Sequence, residues 1–109
     1  MKGPQRISEH SVDISHHVFP WHRGQPVLAR MQGTNDLFLL LFSTTERLRE
    51  ALHQMDIPYE AVKQVDDPVE FLQSLPLLYA GVRLRVIVNP RMTGKDTMRY
   101  TEVVRETIN

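Results

Sequence analysis

The side chains best suited to chemistry stand near the start of the chain. His10, His16, His17 and His22 are four of its five histidines, and they share residues 1–26 with Pro4, Pro20 and Pro26. Neutral imidazoles suit zinc, copper or nickel and titrate near neutrality. Their spacing is not the i, i+4 pair of a metal-binding His-Glu-x-x-His helix, and Pro20 interrupts any continuous helix. Solvated, titrating histidines without a metal are expected. Thr93-Gly94-Lys95 has the residue types of a phosphate loop without its Gly-x-x-x-x-Gly-Lys-Ser/Thr spacing, and it falls between two strand-like runs, so it reads as a hairpin turn. Asp66-Asp67 could form an acid–base carboxylate pair, but the two stand where a helix cap is wanted. Ser11, Ser15, Ser43 and Ser74 lack a Gly-x-Ser-x-Gly context. With no cysteine there is no thiolate, disulfide or Cys-ligated zinc. No catalytic residue and no cofactor is expected.

The composition points the same way. A chain of 109 residues suits one domain with one core, and 41% hydrophobic with 24% charged residues is ordinary globular usage. Thirteen basic residues balance thirteen acidic ones. No global field draws the chain to phosphate backbones or anionic lipid, and neither nucleic acid nor membrane is an expected partner. The longest apolar run, Leu37 to Phe42, is six residues against the roughly 20 that a membrane-spanning helix needs. Met1 to Arg6 is not followed by the apolar region of a signal peptide, and a cytoplasmic location is expected.

The elements that must position these residues follow from periodicity. Residues 1–25 read as an irregular arm partly anchored by Trp21, ahead of one domain over 26–109. Pro26 to Gln32 and Leu37 to Phe42, parted by Gly33-Thr34-Asn35-Asp36, predict a β-hairpin whose second strand, apolar throughout, lies centrally. Ser43 and Glu46 form a capping-box pattern, and Leu48, Ala51, Leu52 and Met55 give the following helix one apolar stripe. Tyr59 to Val65 predicts a strand, and Asp67-Pro68 opens a second helix to about Leu75. Arg83 to Asn89, closed by Asn89-Pro90, and Thr97 to Val104 predict a second hairpin. The order β-β-α-β-α-β-β implies an α+β fold: a single mixed sheet with both helices packed on it together.

Leu37-Phe38-Leu39-Leu40-Leu41-Phe42-Ser43-Thr44-Thr45-Glu46-Arg47-Leu48, a strand delivering Phe-Ser into a charged helix start, resembles the opening of the SseB family N-terminal domain. Leu84 to Val88 running into Asn89-Pro90 extends the likeness, which covers about residues 26–90. The resemblance implies a small module of bacterial proteins linked by name to serine sensitivity or type III secretion, with no established catalytic residues. The histidine-bearing start and the Arg91-Met92-Thr93-Gly94-Lys95-Asp96 loop depart from the family pattern, and no second domain is expected beside the module.

The function expected is therefore a non-catalytic protein-interaction module rather than an enzyme. Its contact surface is expected on the C-terminal hairpin, Arg83 to Val104, with Thr97 to Val104 as an exposed edge strand. Trp21, Arg99, Tyr100 and Glu102 are the candidate contact residues, and Arg99 and Glu102 can meet their symmetry mates in a homodimer. Arg83, Arg85, Arg91, Lys95 and Arg99 gather on the same hairpin as a local basic strip. The alternative is a small-ligand binder with a cleft between sheet and helices walled by Tyr59, Tyr79 and Trp21.

Overall fold

The computed structural model describes residues 5–8, 14–30, 33–75, 78–79, 82–95 and 97–104. In chain order the elements are β1 (Gln5–Ser8), β2 (Val18–His22), β3 (Gln25–Pro26), β4 (Leu28–Arg30), β5 (Leu37–Leu41), α1 (Thr45–Met55), β6 (Ala61–Gln64), α2 (Pro68–Ser74), β7 (Leu78–Tyr79), β8 (Val82–Met92) and β9 (Met98–Val104). The chain is α+β, with its strands in two sheets rather than one. The larger runs β1-β9-β8-β5-β4 with β7 paired to β8, and the smaller runs β3-β2-β6.

β5 occupies the position that its composition demands. It lies between β4, antiparallel, and β8, parallel from Leu37↔Leu84 to Leu41↔Val88. Alternate side chains point to opposite faces of a strand, so an all-apolar strand requires cover on both. Leu39 and Leu41 pack with Val86, Ile14, Phe19 and Leu72 of α2. Phe38 and Leu40 pack with Ile87 and with Leu48, Ala51 and Leu52 of α1. The helices therefore lie on opposite faces of the larger sheet, and the expected single helical layer is corrected. The handedness rule that suggested it applies to a crossover between parallel neighbours. β6, which lies between the helices in sequence, pairs instead with β2 in the other sheet.

Residues 14–26 belong to the body rather than to an irregular arm. Ile14 is fully buried and Phe19 nearly so. β2 pairs with β6 from Val18↔Gln64 to Trp21↔Ala61 and with β3 at Trp21↔Pro26. Pro20 obscured this strand in the sequence because it lacks a ladder donor. Its carbonyl still accepts the Val27 N–H at 3.0 Å. A bridge between Val18 and Phe42, with both N–H···O distances 2.8 Å, ties the small sheet to the end of β5. His10 lies outside the described residues.

The helix starts obey capping chemistry. Asp67 accepts the Glu70 N–H at 3.1 Å with Pro68 in the first turn, as expected. For α1 the cap shifts by one residue: Thr44, in extended conformation, accepts the Arg47 N–H at 3.1 Å. Ser43 is drawn elsewhere. Its N–H and its hydroxyl both donate to Asn89 Oδ1, at 3.0 and 3.4 Å.

Candidate functional site

Asn89-Pro90 does not close β8. Asn89 takes a φ of 51°, the register with β9 slips between Val88 and Arg91, and the strand continues to Met92. An asparagine tolerates this left-handed backbone, and a proline is tolerated where a bulge removes the need for its donor. The bulge lets the hairpin run on, pairing Arg91 with Arg99 and Met92 with Met98. Thr93 clasps its end, its N–H donating to the Thr97 carbonyl at 3.0 Å and its hydroxyl to Thr97 Oγ1 at 3.1 Å.

This extension and the first turns of α1 flank an open groove of about 490 Å³, at the carboxyl end of β5 and beside the bulge in β8. Phe42 and Ala51 lie at its base, Arg47, Glu50 and Gln54 on the α1 side, and Asn89, Pro90 and Arg91 on the hairpin side. Asn89 fixes the two walls relative to each other, because its carboxamide oxygen holds the turn that leads into α1.

The charge of the hairpin is unevenly compensated. Arg85 is locked inward: its Nε donates to Glu102 Oε2 at 2.8 Å, a second nitrogen donates to Glu102 Oε1, and a third reaches Asp36 Oδ2 at 3.1 Å. The Glu102 carboxylate raises the Arg85 pKa still further above its ordinary value, against the opposing effect of burial. The guanidinium also lies 4.9 Å from the Phe38 ring centroid. Arg91 and Arg99 instead stand directly opposite each other, both exposed, with Lys95 exposed at the tip. None of the three has an ion-pair partner among the described residues.

The sequence-derived candidates are dispersed. Of the four contact residues, Arg99 alone is exposed on the hairpin. Glu102 is 6% exposed and belongs to the Arg85 pair, which corrects its assignment to a contact surface. Tyr100 is half-buried with its ring 6.4 Å from that of Phe38. Trp21 is half-buried on β2, edge-on to Phe19 at 6.3 Å and with Lys63 Nζ 5.1 Å from its ring centroid. Nor is β9 a free edge: β1 runs parallel to it from Gln5↔Thr101 to Ser8↔Val104, a strand hidden in the sequence by its polar composition.

The histidines diverge. His16 Nδ1 is 3.2 Å from Gln64 Nε2, His17 Nδ1 is 3.4 Å from the Ser15 carbonyl, and His22 Nδ1 is 3.7 Å from Glu60 Oε1. Among the described residues no three His, Cys, Asp or Glu side chains come together as a metal-binding group. Among the described residues no helix is long and apolar enough to cross a membrane. Comparison with protein-family models, with curated proteins and with solved structures finds no match.

Proposed function

We propose that this chain is a non-catalytic protein-interaction module of SseB-like type, which receives an acidic stretch of another protein along the β8–β9 hairpin and the groove beside α1. The supporting observation is the Arg91–Arg99 pair. Like charges directly opposite on adjacent strands destabilise the pairing, by a few tenths to about 1 kcal/mol. Here they stand exposed beside Lys95 with no counter-ion among the described residues. Carboxylates from a partner relieve that repulsion, and they do so at a hairpin whose base is tied to the start of α1 by the Ser43–Asn89 hydrogen bond. The base of the groove, Phe42 and Ala51, supplies apolar contact once a side chain enters.

The test is affinity capture from native lysate, with and without nuclease treatment, read by mass spectrometry and comparing wild type with Arg91→Glu/Arg99→Glu. A partner held by wild type, weakened by added salt and lost from the charge-reversed variant supports the reading. Capture of the same proteins by both forms removes the hairpin as the contact surface. Capture that vanishes on nuclease treatment makes the strip a phosphate reader instead. A mass doubling in light scattering that the variant abolishes makes the partner a second copy of the chain. The small-ligand alternative draws support from a different cavity, whose described lining includes neither Trp21 nor Tyr59.

A further inference from the structure

A second cleft, of about 580 Å³, shares none of its described lining residues with the groove beside α1. It opens beneath the turn between β2 and β3, and its walls come from Val27, Leu28, Leu39, Ile57, Leu75 and Leu84. Pro26 and Pro58 complete the apolar surface, and the polar lining is confined to one side, where the turn contributes His22, Arg23 and Gln25. A volume within the range of roughly 300–1,000 Å³, mainly apolar walls and a few polar groups gathered on one side are the properties of small-ligand sites.

The charge of this lining is one-sided. Arg23 is held in the left-handed region at φ 52°, followed by Gly24 at 76°, and its backbone N–H donates to Glu60 Oε1. Its guanidinium has no partner among the described residues, and none of the described lining residues is a carboxylate. His22 Nδ1 is buried without a hydrogen-bond partner among the described residues. Glu60, whose Oε1 lies 3.7 Å from His22 Nδ1, does not line the cleft and has that oxygen engaged by the Arg23 amide.

We propose that this cleft binds a small amphiphile with an aliphatic chain and a carboxylate head. The chain would lie against Leu28, Leu39 and Leu84, and the head would meet Arg23 beside His22. The polarity of the cleft sets this orientation, and the unpaired guanidinium sets the sign of the head group.

The test uses the full chain and methyl NMR, titrated in turn with octanoate, octan-1-ol and acetate. Octanoate is expected to shift the Leu28, Leu39 and Leu84 methyls saturably, octan-1-ol to do so more weakly, and acetate not at all. Arg23→Gln should weaken octanoate roughly three- to tenfold and leave octan-1-ol unchanged, the loss expected of one charge-assisted contact near the surface. Glu60→Gln, which keeps an acceptor for the Arg23 amide while removing a neighbouring negative charge, should tighten octanoate. Absence of saturable shifts, or shifts centred on other residues, overturns the site. Equal binding of octanoate and octan-1-ol that is indifferent to Arg23→Gln overturns the carboxylate assignment.

Discussion

At the scale of single residues, a one-position difference separates two readings of the start of α1. Both Ser43 and Thr44 carry a hydroxyl suited to capping, but an N-cap must be extended and must offer its oxygen to an N–H two or three residues on. Thr44 meets both conditions, with ψ 157° and the Arg47 N–H as donor. Ser43 has its hydroxyl turned to Asn89, and its stronger bond there comes from the main chain. Thr44→Ala is therefore expected to cost about 1 kcal/mol and Ser43→Ala less than about 0.5 kcal/mol. Urea melts of the two variants distinguish them; equal losses would place both hydroxyls in the cap.

At the scale of elements, the Arg85–Glu102 pair joins two strands that sequence patterning alone would leave free to slip. Arg85 lies opposite Phe38 in the β5–β8 register, and Glu102 lies opposite Ile87 in the β8–β9 register. Asp36, at the entry to β5, takes the third arm of the guanidinium. The side chain of Glu102 is 7% exposed and that of Arg85 20%, so the pair is largely withdrawn from water. Removing one member of such a pair leaves a poorly solvated charge, and the cost greatly exceeds that of removing both. Glu102→Leu is expected to destabilise by about 3 kcal/mol, and Arg85→Met/Glu102→Leu to recover more than half of that. Denaturant midpoints across this double-mutant cycle provide the check. Additive losses would mean that the two charges act independently.

At the scale of the whole molecule, the deciding feature is that residues 14–26 supply part of the core. Ile14, Phe19 and Trp21 pack into the cluster that also holds Leu39, Leu41 and Leu72. A fragment of residues 26–109 would lose the middle strand of the smaller sheet and leave β6 without its partner. Large-to-small changes at single buried positions already cost about 2–5 kcal/mol, and this deletion removes several such side chains at once from a stability of about 5–15 kcal/mol. The fragment is expected to lack a cooperative thermal transition and to give a poorly dispersed NMR spectrum. A dispersed spectrum would show that the segment is dispensable.

Sequence determined what is local. An unbroken apolar run reports cover on both faces, and Leu37 to Phe42 is central. A stripe at helical spacing reports one buried side, and Leu48, Ala51 and Leu52 are buried. Asp67-Pro68 completes its cap within four residues, so no distant group is consulted. Tertiary structure alone decided the pairings. That β6 turns to β2 rather than to the larger sheet, that β1 covers β9, and that Asn89 reaches back 46 residues to Ser43 all depend on which surfaces meet. The candidate sites share that dependence. The facing of Arg91 and Arg99 arises from a register slip at one bulge, and the apolar cleft arises where four segments distant in sequence converge on Leu39. Periodicity tells a side chain to be covered without saying by what, because the hydrophobic effect is non-directional and any apolar partner of suitable shape satisfies it.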